Sequence, residues 1–285
     1  MEFRSHISES AFLVNESRAR KVALSLDRYA HLWVSDETRR LWEDFSNEVY
    51  PYDEIELGAR NRFFLERVDS FARTNPGAVF VNYGAGFTSY PFLTDTQCRC
   101  IEVDYEHVVA FKSQKIAQWR HEGILPDRKV EFCATDLTSA AERERLRNTL
   151  QERIAGSPSI FMMEGITYYL DSSVLGELLK MFAGLQSEGS QLALDFWTPD
   201  VVSHPIFIRF REFFERRFGH GGERYNLLEV GFVRSIPGYE LVELTDIQEL
   251  EKVYSDTRLL SKYDEILPEN YAVLRRTPPR ARGGV

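Results

Sequence analysis

The residues with the most chemical potential lie in VFVNYGAGFTSYPF, residues 79–92, where a strand-length apolar run ends at Gly84, Ala85 and Gly86. A ligand lying across the end of a strand needs close backbone approach, which a side chain at either glycine would obstruct. About 20 residues later a second apolar run closes on Glu102, Val103 and Asp104. A carboxylate there can accept hydrogen bonds from both hydroxyls of a ribose. Alternation puts Glu102 and Asp104 on the same side of a strand, and only the residue at the tip reaches a ligand, so Asp104 is preferred. The competing reading is a tight turn beside a solvent-facing acid.

The missing third glycine narrows the ligand. A dinucleotide fingerprint needs GxGxxG, and Ser89 holds the third position. S-adenosylmethionine offers ribose and adenine without phosphate, and its sulfonium suits acidic and aromatic surroundings. Asp136, just past a third apolar run, is placed to accept from an adenine amino group or to cap the next helix. A nicotinamide-dependent oxidoreductase is the rival enzyme, and a noncatalytic interaction module on a degenerate enzyme fold is the second rival.

The elements that must position these residues follow from periodicity. Residues 1–75 read as a polar helical region, with helices at about 18–30, 36–47 and 54–73. Leu57, Phe64, Val68 and Phe71, widened by Leu65 and Ala72, form an apolar stripe on the third. Ile55, Phe63 and Arg62 fall off it. From residue 78, strand-length runs (78–83, 99–105, 129–135, 159–164, 191–197) alternate with helix-length segments (108–119, 140–154, 172–187). That is the pattern of an α/β fold with a mostly parallel sheet and helices on both faces. Residues 239–244 and 271–276 read as a final antiparallel pair. Between them and the core, HPIFIRFREFFERRFG, residues 204–219, predicts a helix ended by the glycines at 219, 221 and 222, and a shorter amphipathic piece is expected at 224–230. The last residues, PPRARGGV, are expected to be a loose tail.

Composition excludes several classes. Of 285 residues, 44 are acidic and 35 basic, for a net charge of −9, which argues against a general nucleic-acid binder. No apolar run approaches a membrane span, and MEFRSHISES lacks a secretory h-region, so a cytoplasmic protein without membrane partners is expected. Three cysteines without CxxC, and six histidines without HExxH, give no disulfide framework and no metal site.

NRFFLERV, VNYGAGFTSYPF, IEVDYEHVVAFKSQKI, ATDL and MEGITYYL, in this order over roughly residues 18–200, resemble the S-adenosylmethionine-dependent methyltransferases that include the leucine carboxyl methyltransferases and the bacterial polyketide-type O-methyltransferases. The resemblance implies a class I methyltransferase (Rossmann-like) sheet, a helical N-terminal cap over 1–75, a cofactor-binding core over 76–198, an inserted substrate lid over 199–230 and C-terminal strands over 231–278. By it, Arg62 holds the cofactor's methionyl carboxylate, with Arg60 as the alternative, and Arg20 is a second basic residue of the same site. It assigns Gly84 and Gly86 to the cofactor turn, Asp104 to the ribose, Asp136 and Leu137 to the adenine side, and Glu164 to the amino group. Tyr168 and Tyr169 line the methyl-transfer pocket or simply pack. One departure stands out: after GAGF, where the family often has an acid and a threonine, this chain has Thr88 and Ser89.

The implied reaction is attack by an acceptor oxygen on the cofactor methyl, leaving S-adenosylhomocysteine. A carboxylate needs no general base, whereas a phenol does, and no His–acid dyad is evident, so methyl-ester formation on a small molecule or peptide is favoured over phenol methylation. A small-molecule acceptor is expected, with a protein C-terminus as the other case; oligomeric state is left open. In the lid, Phe207, Phe210 and Phe214 share one helix face, facing either substrate or core. Arg209, Arg211, Arg216 and Arg217 face either an anionic acceptor or solvent. His204 or His107 is the candidate for proton removal.

Overall fold

The computed structural model describes residues 6–218, 225–255 and 266–278, with side chains from residue 11 onward and to residue 217 in the helix ending at 218. The glycines at 219, 221 and 222 and the terminal PPRARGGV beyond Pro278 lie outside the described residues.

The N-terminal region folds as α1 (His6–Arg20), α2 (Val22–Ser25), α3 (Asp36–Glu48) and α4 (Asp53–Thr74). Helix α3 starts at a capping box in which Ser35 and Thr38 each bond the other's backbone N–H. The core then alternates: β1 (Val79–Tyr83), α5 (Tyr90–Leu93), β2 (Arg99–Asp104), α6 (Glu106–His121), β3 (Val130–Ala134), α7 (Ala140–Ile154), β4 (Ser159–Met163), α8 (Ser172–Leu185) and β5 (Gln191–Phe196). After these come α9 (Pro205–Phe218), α10 (Val230–Arg234), β6 (Tyr239–Asp246), α11 (Ile247–Tyr254) and β7 (Asn270–Arg276). The amphipathic piece expected at 224–230 has no helix over residues 225–229, and a helix starts at Val230; α11 has no counterpart in the sequence reading.

The seven strands form one sheet in the order β3-β2-β1-β4-β5-β7-β6. β1 to β5 are parallel, and β7 runs antiparallel between β5 and β6. The chain winds outward in both directions from β1 and β4, so a crevice opens beyond their carboxyl ends, where α/β sheets bind ligands. Register keeps those ends level: Tyr83 pairs with Val103 on one side and Met163 on the other.

Strand alternation feeds two cores. Val79, Val81 and Tyr83 pack with Leu146 and Leu150 of α7 and Leu178 and Phe182 of α8. Phe80 faces the other way, against Phe63, Phe64 and Val68 of α4. Ile55 and Phe63, off the predicted stripe, are both buried. Helix α4 is enclosed by the sheet on one side and by α1, α2 and α11 on others, so one stripe cannot describe it. Among the described residues no helix is long and apolar enough to cross a membrane.

Candidate cofactor and methyl-transfer site

A cavity of 360 Å³ opens at the carboxyl ends of β1, β2 and β4. Its first wall is the turn after β1. Gly84 and Gly86 have φ of +63° and +44°, in the region where a Cβ is strained. A Cβ on Gly84 would also run into Ile166 Cγ2. The turn is tied to β2 because Gly86 N–H donates to Asp104 Oδ2 at 2.7 Å and Tyr105 N–H to Oδ1 at 2.7 Å. Burial pushes the Asp104 carboxyl above its ordinary range, opposed by these N–H groups. Glu102, two residues earlier, is buried away from the cavity and pairs with Lys112 Nζ at 2.7 Å. The tip residue, Asp104, is therefore the one of the two that lines the cavity.

The second wall brings α1 and α4 against the end of β4. Glu164 is buried and accepts from Arg18 and from Arg60 Nε, at 3.0 Å in the second case. Tyr90 donates its hydroxyl to the other Glu164 oxygen at 2.7 Å. Burial alone would raise the Glu164 carboxyl; Arg18 and Arg60 outweigh it and hold it below the ordinary range. Arg60 also donates to Glu269 at 3.4 Å and lies 3.8 Å from Asp195. Asp195 and Glu269 are both shifted upward, first by burial, and for Asp195 next by the proximity of Glu269.

Both arginines assigned from the sequence lie outside the cavity lining. Arg62 lies outside the cavity lining, bonded to Glu66 at 2.9 Å and placed over the Tyr254 ring. Arg20 stacks on Trp42 and bonds Glu54, with its side chain 35% exposed. The lining arginines are Arg18 and Arg60. Each lies two residues from the expected one, about 200° around its helix, and so on the opposite face.

Leu137, Thr135 and Thr138 line the cavity beyond β3. Asp136 does not: its Oδ1 accepts from the N–H and hydroxyl of Thr138, at 2.8 and 2.7 Å, while Ser139 caps α7. Thr88 lines the cavity, with its hydroxyl donating to Ala85 O and accepting from Asn82, so it braces the turn where the family acid is missing.

Tyr168, Tyr169, Leu170, Phe214 and Tyr225 line the remaining side. Tyr168 stacks on Trp197 at 3.9 Å, and burial followed by the Asp195 charge pushes its phenol well above the ordinary range. His204 is buried outside the lining; its Nδ1 accepts the Ile206 N–H at 3.3 Å in the first turn of α9. His107 also lies outside, beside the Tyr105 ring. In α9, Phe207, Phe210 and Phe213 are buried around Phe45 and Trp197, and among that helix's phenylalanines with described side chains only Phe214 also reaches the cavity. Arg209 donates to Val49 O, and Arg216 and Arg217 pair with Glu48 and Asp44 on α3. These three clamp two helices together.

Arg18, Tyr90, Asp195 and Glu269 are absent from the sequence assignment. Arg18 had a signal, an arginine two residues before one already singled out. The other three had none, because their roles arise from contacts 74 to 209 residues apart in sequence.

Residues 11–183 match the family profile "Leucine carboxyl methyltransferase". No curated protein matches the chain. Among solved structures, a presumed methyltransferase from Thermobifida fusca YX is 15% identical, with 92% of this chain and 94% of that one covered at a TM-score of 0.62. A DUF574 family protein from Streptomyces avermitilis MA-4680 is 17% identical over 92% and 97%, with a TM-score of 0.61. Those two likenesses are of fold. The profile spans more than half the chain, and the protein therefore belongs to the leucine carboxyl methyltransferase family, as an S-adenosylmethionine-dependent methyltransferase on a class I α/β fold.

Proposed function

We propose that this enzyme transfers the cofactor methyl to a carboxylate oxygen of a small molecule or peptide and yields a methyl ester. The residues fit the cofactor. Arg18 has two buried nitrogens, Nε and Nη1, without a hydrogen-bond partner among the described residues, and the lining Asn15 has a similarly unmatched Oδ1. Such donors and acceptor suit an amino-acid group carrying both a carboxylate and an ammonium. When bound, S-adenosylmethionine supplies an electrophilic methyl on a sulfonium.

In this reading Asp104 takes the ribose hydroxyls, and Leu137, with Thr135 and Thr138, forms the adenine side. Gly84 and Gly86 allow the backbone to come close. Arg18, held by Glu164, takes the methionyl carboxylate, and Glu164 faces the ammonium. Arg60 neutralises Glu164 from behind. Phe214 and Tyr225, both within the expected lid, cover the acceptor side.

One observation carries the choice of acceptor. Tyr168, whose buried hydroxyl lies beside Gly165 on that side, is a phenol that burial and the Asp195 charge hold protonated. It can donate a hydrogen bond to an anionic oxygen and orient it, but it cannot remove a proton. A carboxylate arrives already ionised, so placement supplies the catalysis. The test is incubation of the enzyme with methyl-labelled cofactor and a panel of carboxylic acids and phenols, followed by mild alkali. Methyl esters release labelled methanol, whereas an alkali-stable methyl ether overturns the carboxylate reading.

A further inference from the structure

At the opposite end of β2 from Asp104, the sulfurs of Cys98 and Cys100 stand 3.8 Å apart. Residues two apart on an extended chain point to one face. Their Cα atoms are then about 6.6 Å apart, at the upper end of the roughly 4.4–6.8 Å that a disulfide spans. Cys98 precedes the first ladder residue, Arg99, so its backbone can give the small remaining movement. Cys98 is partly exposed; Cys100 is buried against Phe80 and Ile160. The two differ in acidity. The Cys100 S–H favours the Cys98 thiolate, burial opposes it, and Arg128 adds to the favour while Asp69 works against it. Arg128 is fixed by the carbonyl oxygens of Pro91 and Thr94 and by the Thr94 hydroxyl. Cys100 is pushed upward by Cys98, by burial and by Glu102.

We propose that Cys98 and Cys100 form a thiol pair that a hydroperoxide converts to an intramolecular disulfide. The Cys98 thiolate attacks the terminal peroxide oxygen; the O–O bond breaks, and the departing oxygen takes a proton to become alcohol or water. Cys98 is left as a sulfenic acid. The Cys100 sulfur then attacks the Cys98 sulfur, the S–O bond breaks, and hydroxide leaves with the Cys100 proton as water. In sum, two thiols and one hydroperoxide give a disulfide, one alcohol and one water, with sulfur oxidised and peroxide oxygen reduced. A bridge at the limit of reach is readily reducible by a dithiol.

The chain provides its own assay, since trypsin cleaves after Arg99, between the two cysteines. The full-length protein is treated with hydrogen peroxide, denatured, alkylated and digested without reductant. The expected product joins the peptide ending at Arg99 to the one beginning at Cys100, and dithiothreitol abolishes it. Cys98→Ser loses the product entirely. Cys100→Ser loses it too and leaves a sulfenic acid on Cys98 that dimedone traps. Full alkylation of both cysteines after peroxide overturns the proposal, as does over-oxidation of Cys98 without the linked peptide, or a link from either cysteine to Cys133.

Discussion

The two walls of the cavity are built on different length scales. The β1–β2 wall is made of backbone: a turn with two left-handed glycines, tied to the next strand by N–H groups on one carboxylate. The α1–α4 wall is made of buried charge. There Arg18 and Arg60 meet Glu164, Asp195 and Glu269, with Asp53 and Glu56 buried nearby beneath Ser17 and Tyr50. Backbone walls tolerate side-chain change if the turn survives. Charge walls do not, because a buried ion that loses its partner has no water to replace it. Burial first, and then the crowding of acids that outnumber the two arginines, shifts several of them upward, while Glu164, held by both arginines, is shifted down.

The sharpest way to break this contrast is Arg60→Ala. It leaves Glu164, Asp195 and Glu269 without a shared cation and should cost about 3–5 kcal/mol of stability, read by denaturant unfolding. A loss below about 1 kcal/mol would show that the charge wall is no more demanding than a surface ion pair. Next in size is a pH effect at Asp53, which burial lifts from 3.8 to about 6 against the Ser17 hydrogen bond and the Arg60 charge. The folded state holds this proton more tightly than the unfolded state. Its contribution is therefore fully present below pH 3.8 and is lost as pH rises through about 6. Relative to Asp53→Asn, the wild type should lose roughly 3 kcal/mol across that window, and parallel stability–pH curves would refute this. Glu164 contributes with the opposite sign, losing stability as pH falls.

On the backbone wall, Asp104→Ala should weaken S-adenosylhomocysteine binding by about 1.5–3 kcal/mol, the range for hydrogen bonds to a charged group, measured by calorimetry. Gly84→Ala should cost about 1–3 kcal/mol in stability through the Ile166 overlap. Gly86→Ala should cost less, since its Cβ would meet Ala11 Cβ at an ordinary 3.6 Å. Equal costs would mean that strain at positive φ, and not the contact, governs the turn. Smallest of all, Arg20→Ala and Arg62→Ala should each change stability by less than about 1 kcal/mol and leave cofactor affinity unchanged. A tenfold loss of affinity in either would return that arginine to the site.

The same contrast explains what could be read in advance. That Gly84, Gly86 and Asp104 line the cavity is legible because a strand's end and the residue after it are neighbours in sequence as well as in space, and strand alternation aims the tip of β2; Leu137, which also lines it, is reached only through the family resemblance. The arginines were only half legible. The 18–20 and 60–62 pairs announce a basic patch, but choosing within each pair requires the helix's rotation about its axis. On α4 that rotation was obscured because the helix is enclosed on several sides, and an amphipathic stripe reports only one of them. His204 looked available for chemistry because it precedes an aromatic, basic helix; its Nδ1 instead accepts an N–H of that helix.

From the chain alone, then, come the α/β alternation, the glycine turn and the acid at the tip of β2, since each follows from periodicity or from contacts over a few residues, whereas the acidic residue after β4 comes from the family resemblance. Only the packed structure turns Arg18 rather than Arg20, and Arg60 rather than Arg62, toward the cavity, and only it draws Tyr90, Asp195 and Glu269 into the same network. Those choices depend on which face of a helix is turned toward the sheet, and two residues along a helix reverse that face. They depend equally on charges brought together from distant segments, whose desolvation must be met by partners that no local pattern names.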